Sequence, residues 1–167
     1  EFFVWARDSR GPAGEGRSET RRCQVIDARV LHERVQEGLE KFQKAMVDRL
    51  AEERSVRDSL SVSTPPWAGM ITEQRQTARR MALDEEHLRS LLDQMNEDWM
   101  TSQEIAWVHQ GLEERLRSLI QSDMPKVDRW LVEENLPEAA RALDPVLTTL
   151  EQLARLSAEA LRAESAH

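Results

Sequence analysis

Between Val25 and Leu60 the chain has no proline and repeats apolar residues at three- and four-residue steps. Val35, Leu39, Phe42, Met46 and Leu50 carry the repeat, and Val25, Ala28, Leu31 and Val56 extend it. The positions between them are charged or amide, among them Glu33, Arg34, Gln36, Glu37, Glu40, Lys41, Lys44 and Asp48. A single apolar face on a polar cylinder is stable only when other helices cover it. At 1.5 Å per residue the run reaches roughly 50 Å, enough to serve as the spine of a bundle. The rest of the chain must therefore supply the covering faces.

It does so in segments marked by breakers and caps. Ser61-Val62-Ser63-Thr64-Pro65-Pro66-Trp67-Ala68-Gly69 ends the first helix, because two prolines cannot continue it. A second helix is predicted over 71–99, with Ala78, Met81, Leu88, Leu92, Met95 and Trp99 as its stripe. Thr101-Ser102-Gln103-Glu104 reads as a capping box that opens a third helix over 102–122. Met124-Pro125 then restarts a short fourth segment over 124–134 carrying Val127, Trp130 and Leu131. Asn135-Leu136-Pro137-Glu138 opens the last helix, 136–163, whose leucine stripe is the richest in the chain and is expected to kink or restart at Asp144-Pro145. With the first helix taken as 23–60, residues 1–167 make a single all-α domain. It is an antiparallel bundle of four to five helices, three long and one short.

Residues 1–20 are an aromatic and glycine-rich lead-in. Phe2-Phe3-Val4-Trp5 has strand-like composition and can pair with Cys23-Gln24-Val25-Ile26 as a small β-hairpin, or pack its rings on the bundle. Gly11, Gly14 and Gly16 match no phosphate-loop spacing, and no lysine follows them.

Composition narrows the function classes. A net charge of −8 argues against nucleic acid and anionic membrane as partners, since both require clustered cations. No apolar run approaches the roughly 20 residues of a membrane span. One cysteine, Cys23, excludes an intrachain disulfide and points to a reducing, cytoplasmic setting. Glu1 in place of methionine suggests a fragment or a processed chain.

Chemistry-bearing patterns are weak. Asp84-x-x-His87 is the nearest approach to a di-iron motif and occurs once, so no metal or other cofactor is expected. Cys23 and His32 are nine residues apart and fall on opposed sides of a helix. The carboxylate pairs Glu52-Glu53, Glu85-Glu86, Glu113-Glu114 and Glu133-Glu134 point about 100° apart on a helix, which suits solvated faces rather than acid–base work. Glu85–Arg89 and Glu113–Arg117 read as i,i+4 surface pairs. No catalytic constellation emerges.

Tryptophan stands out. Trp5, Trp67, Trp107 and Trp130 are the candidates for partner contact, since interfaces are enriched in tryptophan and arginine and depleted in lysine. Lysine appears here only at 41, 44 and 126, whereas arginine is abundant. Trp67 has the alternative of folding back over the bundle end. The expectation is a non-catalytic interaction or scaffold module of a larger intracellular protein, binding a protein partner or a second copy of itself. The alternative is a ligand-sensing bundle, favoured by an apolar cavity that Trp99, Trp107 or Trp130 lines beside an arginine.

Overall fold

The apolar stripes resolve into a stricter rule once the helices are seen together. The structure is a computed structural model that describes residues 27–164. Five helices follow in order: α1 (Ala28–Ser59), α2 (Trp67–Glu97), α3 (Gln103–Ser118), α4 (Met124–Val132) and α5 (Leu136–Glu164). A π-helical turn, Leu119–Asp123, joins α3 to α4 without interruption, so the two form one rod. The described residues thus make four rods of similar length, all-α, with no strand among them. The segment proposed as a hairpin lies outside them.

The rods are antiparallel neighbours. His32 at the start of α1 meets Asp98 just past α2, and Arg57 near the end of α1 meets Asp144 early in α5. Arg75 of α2 meets Asp128 of α4, while Arg89 further along α2 meets Glu113 near the middle of α3. α1 packs on α2 and α5, and the α3–α4 rod packs on the same two, so α1 and that rod stand diagonally opposite. This is an up-down-up-down four-helix bundle with short connections.

Its core follows a seven-residue repeat. In α1 the buried series runs Val35, Leu39, Phe42, Met46, then Arg49 nearly covered, Glu53, Val56 and Leu60. In α2 it runs Met70, Gln74, Thr77, Met81, then Asp84 nearly covered, Leu88, Leu91 and Met95, with Asp98 just past the helix end. In α5 it runs Ala139, Leu143, Val146, Leu150, Leu153, Ser157 and Ala160. Steps alternate between three and four, which keeps one seam facing the bundle axis as in a coiled coil.

The third rod breaks the count once. Ile105, His109, Leu112, Leu116 and Leu119 keep the three–four alternation, but the next buried residue is Met124, followed by Val127 and Leu131. Five residues separate Leu119 from Met124 where four belong. The π turn absorbs the surplus: the Met124 amide bonds to the Leu119 carbonyl, five residues back, and the seam resumes in register. Wider winding also eases Pro125, whose ring would otherwise meet the carbonyl four residues earlier. The restart expected here is therefore a continuous helix. Pro145 likewise sits inside an unbroken α5, on the exposed face.

Ends are closed by local chemistry. Asp27 is extended and accepts the Arg29 amide at 2.8 Å, so α1 opens at Ala28. α2 begins at Trp67, directly after Pro66 rather than at residue 71. The α3 cap is Ser102, which accepts the Ile105 amide; Thr101 instead gives its hydroxyl to Asp98. Between α4 and α5 the Asn135 amide reaches back to the Trp130 carbonyl, and Glu134 has a φ of 52°. That is a Schellman-type ending with glutamate in the left-handed position glycine normally takes.

Two outcomes are expected. Glu134→Gly relieves the left-handed backbone and raises stability by about 0.5–1 kcal/mol in denaturant unfolding. Deleting Ser122 together with Pro125→Ala converts the π turn to regular helix, leaves Met124, Val127 and Leu131 in the seam, and does not lower the thermal midpoint.

Candidate interaction surface

The α2–α3 hairpin carries the most exposed aromatic surface among the described residues. α2 stops at Glu97 because Asp98 leaves the helix with an extended backbone. Its buried carboxylate accepts the Met100 amide at 3.0 Å, the Thr101 hydroxyl at 2.6 Å and His32 Nδ1 at 2.8 Å. Burial works to raise this carboxyl, but the Thr101, His32 and Met100 hydrogen bonds outweigh it and hold the pKa below the ordinary range. Asp98 thus takes the seam position, and Trp99 turns outward, 80% exposed, with Met100 beside it. The sequence stripe had placed Trp99 in the core; the chain instead buries its neighbour, because the turn needs an acceptor there and an indole supplies none.

Trp107 lies farther along the same hairpin, 63% exposed. Its ring borders an open groove of about 340 Å³ between α2 and α3, lined also by Leu92, Asn96, Gln103, Gln110 and Arg89. At one end of this groove the two surface pairs expected from the sequence interlock. Arg89 and Arg117 each contact both Glu85 and Glu113, joining α2 to α3. Both carboxyls are largely buried, so they converge where sequence spacing along one helix could not reveal it. Burial works to raise Glu85, but hydrogen bonds from Glu113, Arg117 and Arg89 prevail and hold it low. Glu113 is raised, by burial first and then by Glu85 beside it.

The other candidate tryptophans play different parts. Trp67 is half-buried as the first residue of α2 and packs on the core. Trp130 is also packed against the core, with the Arg129 guanidinium 4.4 Å from its ring centre. Trp5 lies outside the described residues. Of the four candidates, Trp107 presents a free face; Trp99, read from sequence as core, joins it.

A second cleft, about 420 Å³, opens between α1 and α2. Phe42, Ala45, Leu88 and Leu91 form its floor, and Arg34, Lys41 and His87 stand at its rim. Gly38 permits the close approach here, because a Cβ at that position would come within 2.7 Å of Leu91 Cδ1. No cluster of three or more His, Cys, Asp or Glu suited to a metal occurs among the described residues, and none of their helices is long and apolar enough to cross a membrane.

No protein-family model, curated protein or solved structure matches the chain.

Asp98→Ala is expected to lower stability by about 2 kcal/mol, since it strands the turn amide and hydroxyl together and releases His32. A carboxyl whose folded pKa is depressed stabilises fully above its ordinary range, and the contribution is lost as pH falls through the folded value. Wild type should therefore lose stability in acid more steeply than Asp98→Ala, read from unfolding midpoints between pH 2 and 5.

Proposed function

We propose that this chain is a non-catalytic helical interaction module whose contact surface is the α2–α3 hairpin. The observation that carries the reading is the exposure of Trp99 and Trp107 on a bundle that already closes its own core. A buried-seam repeat that is satisfied internally leaves large indole rings in water with no folding role. Tryptophan and arginine beside amide side chains, as in the Trp107 groove, is the composition of binding hot spots. The Glu85–Glu113 pair supports this reading over acid–base chemistry, because each carboxyl is already engaged by guanidinium groups.

A ligand-sensing bundle is the second reading, and the α1–α2 cleft favours it. Its apolar floor and cationic rim suit a small amphiphile with an anionic head. Tryptophans do not line that cleft, and the groove that Trp107 does line is open and edged with amides.

The first reading is tested with Trp99→Ser/Trp107→Ser. Both rings are exposed, so the double variant should unfold within about 0.5 kcal/mol of wild type. Light scattering across a wide concentration range comes first. A wild-type dimer that the double variant dissociates establishes self-association through this face. If wild type is monomeric, a photo-crosslinker at position 107 should give saturable adducts that unlabelled protein competes away. Adducts no more abundant than from position 44, on α1, would overturn the proposal.

A further inference from the structure

The α1 seam contains a sealed carboxyl. Glu53 occupies a core position of α1 and is fully buried, and neither of its oxygens has a hydrogen-bond partner. Gln74 of α2 is buried with it; its Nε2 donates to Met124 Sδ at 3.4 Å, and its Oε1 is left without a partner. Met124 is the first residue beyond the π turn and closes that turn through its amide. Neither the Glu53 carboxyl nor Gln74 Oε1 has a donor, and buried acceptors left so are costly unless a proton is supplied.

We infer that Glu53 and Gln74 form a proton-dependent latch, in which neutral Glu53 donates its O–H to Gln74 Oε1 and Gln74 in turn holds Met124 at the π turn. The latch links α1 to the rod that stands diagonally opposite it across the core. When the proton leaves to solvent, the carboxylate and Gln74 Oε1 become two acceptors face to face. Gln74 must then turn its amide nitrogen toward Glu53, which removes its hold on Met124. Arg57 Nη1, one turn along α1, is buried without an acceptor and is a second donor for the ionised carboxylate.

The other charged groups around Glu53 are already engaged. On α1, Glu52 is bound by Arg49 and Arg80, and Thr77 of α2 also donates to it. Arg57 reaches Asp144 of α5, and Arg75 of α2 is paired with Asp128 of α4. Burial lifts the Glu53 carboxyl to about 8; the Gln74 amide beside it works the other way, and the Glu52 charge adds to the rise. The unfolded chain ionises near its ordinary value of 4.5. Between these values the folded state holds one proton more than the unfolded state. Its equilibrium constant therefore falls about tenfold per pH unit and levels off above the folded value.

The test compares wild type with Glu53→Gln, which keeps the shape and cannot titrate. Denaturant unfolding from pH 5 to 9.5 should show the wild-type folding constant falling by more than about 100-fold relative to the variant. Amide exchange at Met124, taken as the wild-type to variant ratio at each pH, should rise above pH 8 and stay flat below 7. Parallel pH profiles for the two proteins overturn the latch. If Glu53→Gln does not fold, the carboxyl carbon of Glu53 is titrated in wild type by NMR. A midpoint between about 7 and 9 supports the proposal, and one near 4.5 overturns it.

Discussion

Four rods can share one axis only if each presents a continuous seam to it, and the three–four alternation of buried residues is that condition. Every other feature is subordinate to it. Some polar seam residues meet a partner on another rod: Arg49 meets Asp84 at 3.0 Å, and Asp98 meets His32 at 2.8 Å, whereas His109 and Ser157 bond carbonyls of their own helices. The third rod, carrying one residue too many, winds wide for a turn rather than rotate Met124, Val127 and Leu131 out of the core. A rotation of about 100° there would expose three apolar side chains, each contributing on the order of 2 kcal/mol when buried. A single π turn is the smaller cost.

Arginine makes the outer fasteners. Arg49 and Arg80 tie α1 to α2, Arg54 and Arg57 tie α1 to α5, Arg75 ties α2 to α4, and Arg89 and Arg117 tie α2 to α3. The surplus of arginine over lysine has a structural use here, since a long side chain with a planar fork spans a seam and reaches two oxygens at once. Exposed pairs of this kind contribute at most about 1 kcal/mol each. Their value lies more in fixing which rods are neighbours than in holding the bundle shut.

The apolar part of the fold was legible in the sequence because period and burial coincide: Val35, Leu39, Phe42 and Met46 are all seam residues. The polar part was not. Glu53 beside Glu52 looks like any solvated pair, and only the position of α2 reveals that one carboxyl is sealed and the other bound by arginines. Trp99 and Asp98 exchanged places for a related reason, since an apolar stripe extrapolated past a helix end takes no account of what the turn must accept. The π turn had a readable trace in the five-residue gap between Leu119 and Met124, masked by the proline that suggested a break instead. Glu85 and Glu113 lie on different helices, and no local pattern brings them together.

Five of the six methionines, Met46, Met70, Met81, Met95 and Met124, are sealed in the core, while Met100 lies in the open beside Trp99. Sulfur oxidation follows access, and it converts a soft apolar side chain into a polar sulfoxide. Peroxide would therefore reach the α2–α3 turn while the bundle core stayed reduced. The bundle thus leaves one thioether open to oxidation, on the turn beside Trp99, and shields the five whose oxidation would disturb its core.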